Sequence, residues 1–171
     1  MRRLHGEAGR GVSGPVAPAR VLELIPYGLY VVGSTSGGVA SAMVANWLTQ
    51  VSFNPPCVLL AVEADSRMRA CIAGSGVFSV NILPAGARET AKAFLKAPEA
   101  AGETIGGRPF TPGKHGAPFL TEAAASFECR VVQTMDVPDH VLFVGEVVDA
   151  VMRREGEDVL TLRATGWRYQ K

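Results

Sequence analysis

At 171 residues, 47% of them apolar, the chain has the length of one domain and enough hydrophobic side chains to bury a core. Seventeen basic and sixteen acidic side chains leave a formal charge of +1, and aromatic residues make up only 7%, so there is no electrostatic case for nucleic acid or a bilayer surface. No apolar run is long enough to span a membrane, and none follows Arg2 and Arg3 as it would in a leader, so the expected location is cytoplasmic.

Met1 to Pro18 is rich in Gly, Arg and Pro without periodicity, and reads as an arm (1–18) ahead of a domain over 19–171. Ala19–Ile25 predicts a short helix ended by Pro26. Tyr27–Ser34 and Val39–Ala45 predict strands joined through Gly37-Gly38 as a hairpin. Trp47–Phe53 continues extended until Asn54-Pro55-Pro56 interrupts it. Cys57–Val62 is apolar on both faces and predicts a central, doubly covered strand. Next, Asp65 or Ser66 caps a helix over RMRACIAGSG that a glycine stops. Val77–Leu83 predicts a strand and Ala87–Leu95 a helix. Lys96–Phe119 dissolves into Gly and Pro and reads as a long irregular loop. Ser126–Met135, His140–Met152 and Val159–Leu162 predict the last strands.

Six or seven short strands with Gly/Pro turns and few helices predict a mainly β, closed or partly closed barrel. No G-x-G-x-x-G opens a helix after the first strand, which argues against a doubly wound dinucleotide fold. Cys57, Cys71 and Cys129 stand far apart in apolar contexts, and His5, His115 and His140 are scattered; reduced thiols and no metal site are expected.

The segment Ser41–Pro56, SAMVANWLTQVSFNPP, is the most informative stretch. It mixes small apolar residues with amides and hydroxyls that need partners when buried, which suits a flat heteroaromatic ligand with a polar rim. The same alternation is what a strand with one face in solvent shows, so the residues alone leave both readings open. Likewise Ser66-Arg67-Met68-Arg69 fits an anion site at a helix N-terminus, with Arg67 preferred over Arg69, or a plain cap with solvated arginines.

Four stretches in order resemble the flavin reductase family, the FMN-binding split barrel: SAMVANWLTQVSFNPP, SGVFSVNIL (Ser75–Leu83), AKAFLK (Ala91–Lys96) and DHVLFVGEV (Asp139–Val147). The first and third are similar to the reductase modules of flavodiiron proteins and to stand-alone relatives. This chain reads Pro138-Asp139-His140 where many relatives read Gly-Asp-His, and Ser66-Arg67 replaces a phosphate-side Thr or Lys.

The resemblance implies a split β-barrel homodimer that binds FMN, or FAD, non-covalently and reduces it with NADH or NADPH. Hydride passes from nicotinamide to flavin N5, so no protein residue is needed as a catalytic group. Met43, Ala45, Asn46, Trp47, Leu48, Thr49, Gln50 and Ser52 are the expected ring contacts, with Ser66 and Arg67 on the phosphate. His140 and Tyr169 are expected to meet the nicotinamide; the plainer alternatives are a histidine bonded to Asp139 and an aromatic tail docked on the barrel. A flavin-dependent monooxygenase or another electron acceptor is the implied partner. The rival readings are a flavin-holding electron carrier between proteins, a pyridoxine-phosphate-type oxidase, and a barrel whose site is empty or reused.

Overall fold

A computed structural model describes residues 14–167. After a short helix α1 (Pro18–Leu22), the hairpin β1 (Tyr30–Ser36) and β2 (Val39–Ala45) sets the architecture. Gly37 and Gly38, at φ 57° and 81°, supply the two positive-φ positions of the turn, and Ser36 pairs with Val39. Side chains alternate across this hairpin and both faces are apolar. Val32 and Ala45 enter one core, while Val31, Ala40 and Ala42 enter another on the opposite side.

The first core is the interior of a curled sheet. β3 (Leu48–Phe53), β4 (Pro56–Glu63), β5 (Val77–Ile82), β10 (Ala125–Asp136) and β11 (His140–Met152) join the hairpin in the antiparallel order β2-β1-β5-β10-β11-β4-β3. Val32, Leu60, Phe78, Val80, Cys129 and Phe143, from five of these strands, pack into a single cluster, so the sheet wraps around itself. Helix α2 (Arg67–Ser75) adds Met68 and Ile72 to that core; Ser66 caps its start and Gly76, at φ 70°, ends it. Register shifts in the β10–β11 pairing next to Cys129 and Gln133 accommodate the bend. Gly145 is required where the walls close in: a Cβ there would lie 2.6 Å from both Cys129 Cβ and Phe78 Cζ. Cys57, Cys71 and Cys129 are free, and burial above all, with Cys57 and Glu128 nearby, pushes the Cys129 thiol up to about 12.

The barrel is split. β2 and β3 are consecutive in the chain yet stand at opposite ends of the strand order, spanned only by Asn46 and Trp47.

The second core covers the outer face of the first hairpin. Phe94, Ile105, Leu120 and Leu160 pack there, contributed by the turn after α3 (Arg88–Lys92), by a small sheet and by the C-terminal segment. That small sheet corrects the expected irregular loop over 96–119: β6 (Ala100–Ala101), β7 (Thr104–Ile105), β8 (Arg108–Pro112) and β9 (Pro118–Leu120) pair in order. Its strands are two to five residues long, too short to show alternation in sequence. Two further expectations change. Val159–Leu162 forms only isolated bridges, to Pro84 and Gly28, because the Thr161 hydroxyl caps helix α4 (Leu162–Thr165) instead. The helix expected over Ala87–Leu95 stops at Lys92, beyond which the Phe94 carbonyl accepts from Val44 N of β2. Most of the expected arm, residues 1–13, lies outside the described residues.

Asn81, fully buried, pins the outer layer to the sheet. Its amide donates to the carbonyls of Val31 (3.0 Å) and Pro118 (3.2 Å), and its oxygen accepts from Leu120 N and Ser126 Oγ, both at 2.8 Å. The buried Glu128 carboxylate accepts from the backbone of His115 and Ala117 in the same loop. Replacing Asn81 by Leu strands the groups it satisfies, so Asn81→Leu is expected to destabilise the fold by about 2–4 kcal/mol, read from urea unfolding midpoints.

Candidate functional site

The strand parities place a groove at the split, on the outside of the barrel. On β4 the even residues Val58, Leu60 and Val62 point into the core, which leaves Ala61 and Glu63 on the outer face. β11 pairs with β4 so that His140 lies opposite Glu63. On β2, Val44 points outward among residues of the second core. Between these two outer faces lies a cavity of about 590 Å³, within the range of small-molecule and cofactor sites.

Asn46 and Trp47, the two residues that cross the split, form its floor. Asn46 is 8% exposed, and its Nδ2 has no hydrogen-bond partner among the described residues. A buried amide left with a free donor beside a cavity is the feature most in need of a ligand acceptor. Trp47 is fixed at both ends: its carbonyl accepts from Ala61 N at 3.0 Å, and its ring packs on His140 with centroids 4.6 Å apart. His140 is in turn 3% exposed, with Nδ1 2.8 Å from Asp139 Oδ1.

Beside them, three residues after Glu63, Ser66 starts α2. Its hydroxyl donates to the Glu63 carbonyl (2.8 Å) and accepts from Arg69 N (3.2 Å). Arg67 leans away from the cavity. Its guanidinium donates to Glu99 Oε1 at 2.7 Å, to Ser41 Oγ and to the Ala97 carbonyl. These bonds clamp a strap over residues 94–99 along the free edge of β2, where Ala42 N also donates to the Pro98 carbonyl. The strap supplies Phe94, Leu95 and Ala97 to the wall, and the C-terminal segment supplies Leu162 and Trp167. Arg88 lies 5.7 Å over the Trp167 ring and holds it in place.

Of the residues singled out in the sequence, the structure gathers Met43, Ala45, Asn46, Trp47, Ser66 and His140 around one cavity. Leu48 and Thr49 border an adjoining recess of about 360 Å³ that shares Trp47 and Ala61 with it. Gln50 and Ser52 line neither: they sit on the outermost strand, where Gln50 Nε2 donates to the Ser52 carbonyl. Tyr169 lies outside the described residues. Sequence reasoning missed Glu63 and gave the strap no role in the site, although AKAFLK (Ala91–Lys96) carries part of the resemblance. The only signal for Glu63 was a lone acid ending an apolar strand.

The model of the flavin reductase like domain matches residues 22–168. Diflavin flavoprotein A 1 of Synechocystis is 33% identical over 83% of this chain, and the ferric-chelate reductase (NAD(P)H) of Archaeoglobus fulgidus is 35% identical over 80% of it. The chain spans 25% of the length of the first and 82% of the second. Among solved structures, the NADH:FAD oxidoreductase SgcE6 of Streptomyces globisporus superposes with a TM-score of 0.78 at 26% identity, covering 93% of this chain and 98% of that one. SgcE6 has also been solved in complex with NAD and FAD fragments.

Because Asn46 Nδ2 has no partner among the described residues, removing the amide strands none of them. Asn46→Leu is therefore expected to keep the ligand-free melting temperature or to raise it, as thermal unfolding will show; a clear fall would mean that the amide is satisfied in solution.

Proposed function

The chain belongs to the flavin reductase like domain family, and from that premise we propose that it is an NAD(P)H-dependent flavin reductase whose groove holds FMN or FAD non-covalently. The observation that carries this reading is the unpaired donor of Asn46 in a cavity walled by Trp47. Such a site suits a flat ring whose rim is made of acceptors, and an isoalloxazine is one. When bound, the flavin supplies the redox chemistry by accepting hydride from the nicotinamide.

The chain's own residues bind and orient. Asn46 donates to the ring's rim, while Met43, Ala45 and Trp47 shape the surface it rests on. The start of α2 faces the flavin phosphate: the first N–H groups of a helix lack intrahelical acceptors, and Ser66 borders the cavity there. Arg67 reaches that phosphate by exchanging Glu99 for it. His140, held by Asp139 and Trp47, positions the nicotinamide instead of moving a proton, and Tyr169 is the second residue assigned to it.

We further propose a homodimer. Val21, Leu22, Leu24 and Ile25 around α1, and Val51 and Phe53 on the outermost strand, are exposed apolar residues, Phe53 at 88%. An unpaired apolar edge of this kind asks for a cover. Leu48, Thr49, Gln50 and Ser52 lie on that strand and serve the assembly as much as the ligand. The free thiols suit the reducing cytoplasm. A flavin-dependent monooxygenase or another acceptor protein takes the electrons. Equilibrium sedimentation of the full chain is expected to give twice the monomer mass, and a monomer at micromolar concentration overturns the assembly.

Steady-state oxidation of NADH or NADPH with excess FMN or FAD is expected to run through many turnovers. A single slow reduction of bound flavin, the behaviour of an electron carrier, overturns the reductase reading. In the same assays Asn46→Leu is expected to weaken flavin binding by about tenfold or more, the worth of one buried hydrogen bond lost to a ligand.

A further inference from the structure

The wall of the groove offers a phosphate no cation. None of the described residues that line it is a lysine or an arginine. The nearest arginine along the chain is Arg67, which follows Ser66 at the start of α2. Among the first backbone N–H groups of that helix, Arg69 N is taken by Ser66 Oγ, whereas those of Arg67 and Met68 have no acceptor among the described residues. On the same cavity Asn46 keeps a buried donor with no described partner. Open donors with an arginine beside them suit an anionic ligand rimmed with acceptors.

Arg67, however, already holds an anion. Its Nη1 donates to Glu99 Oε1 at 2.7 Å, and the two side chains are 47% and 53% exposed. This is the one bond of the Glu99 carboxylate to any described residue. The carboxylate is not what keeps the strap in place. Ala42 N and Ser41 Oγ donate to the Pro98 carbonyl at 3.2 and 3.1 Å, Val44 N to that of Phe94, and Arg67 to that of Ala97. These bonds hold the strap through its own main chain, so the acid is free to serve Arg67. A half-exposed ion pair is weak. A phosphate monoester brings more charge and more acceptor oxygens to the same guanidinium fork, and so displaces the carboxylate against its competition.

Resting on the reductase reading above, we propose that Glu99 is a positioning residue that stands in for the flavin phosphate at Arg67. It holds the guanidinium beside α2 until a phosphorylated flavin takes its place. FMN then enters and leaves the groove by exchange of one anion for another. That exchange costs FMN the Arg67–Glu99 pair, while riboflavin, which has no phosphate, leaves the pair intact. The flavin is thereby held loosely enough to depart after reduction, as a substrate and not as a fixed prosthetic group.

The test is the Kd of FMN and of riboflavin, read from quenching of flavin fluorescence, for the wild-type chain, Glu99→Gln, Arg67→Gln and the double variant. Glu99→Gln keeps the shape of the side chain and removes its charge. It is expected to tighten FMN by about three- to fivefold, the worth of one exposed ion pair, and to leave riboflavin unchanged. The KM for FMN in NADH oxidation is expected to fall with it. Arg67→Gln is expected to weaken FMN by about tenfold, and in that background Glu99→Gln is expected to bring no further gain. Melting temperatures confirm that the variants are folded. If Glu99→Gln leaves FMN unchanged or weakens it, or shifts both flavins alike as a purely structural strap residue would, the role of Glu99 is overturned and the reductase stands. An FMN affinity indifferent to Arg67→Gln overturns Arg67 as the partner of the phosphate, and the role of Glu99 with it, while the reductase again stands. Failure of the wild type to bind either flavin, or to oxidise NADH or NADPH with FMN in excess, overturns the reductase reading and everything that rests on it.

Discussion

The gap between β2 and β3 is the constraint on which the rest of the molecule depends. A sheet of seven strands curls around one core, but its two ends are consecutive in the chain and are spanned by Asn46 and Trp47 alone. A closed barrel would satisfy those two residues through its own ladder. Here their polar groups have to be met in other ways. The Trp47 carbonyl finds Ala61 N, but the Asn46 amide finds no described partner. Splitting the barrel thus creates, at one point, both an opening wide enough for a ligand and a donor that needs one.

What keeps that opening from collapsing is the layer outside the barrel. The second core holds the turn after α3, the small sheet and the C-terminal segment against the outer face of β1 and β2. Asn81 and Glu128, both buried, tie that layer to the sheet through main-chain groups. Fully satisfied buried polar groups specify one arrangement more sharply than apolar contacts do, because any shift leaves a donor or acceptor stranded. The walls of the groove are accordingly rigid elements and a clamped strap, and the strap's Ala97 adopts a positive φ of 44° to follow the edge of β2.

Much of this was legible in the sequence, and the reason differs by element. The hairpin, β4 and the capped α2 each announce themselves locally, through Gly37-Gly38, an apolar run after paired prolines, and Ser66 before a glycine stop. The expectation that β4 is central and covered on both faces is corrected: it is next to last in the sheet, and its outer face borders the groove. The small sheet did not, since strands of two to five residues, the longest holding two prolines, leave no periodicity to read. Within the site the sequence marked every polar residue from Asn46 to Ser52 alike. Which of them faces the groove depends on where the chain crosses the split, a fact of topology and not of composition. Asn46 is at the crossing, whereas Gln50 and Ser52 lie beyond it on the outer edge. The place of Glu63 and of the strap in the site was hidden for a related reason, although AKAFLK itself stood out in the resemblance. They reach the groove through pairings, β4 with β11 and residues 94–98 with β2, that join parts of the chain tens of residues apart.

Charge is distributed around the groove with the same economy. Its floor and walls are mainly apolar or aromatic, so a flat ring can be desolvated there cheaply. The start of α2 opens on the same cavity through Ser66, with Arg67 behind it bonded to Glu99. Glu63 and the His140–Asp139 pair stand at that same rim, since the Glu63 carbonyl accepts from Ser66 and the Asp139 carbonyl from Ala64 N. Because the floor, the start of α2 and this acidic pair all hang on strands next to the split, the chemistry of the groove is set by the sheet's topology and not by any loop that closes later.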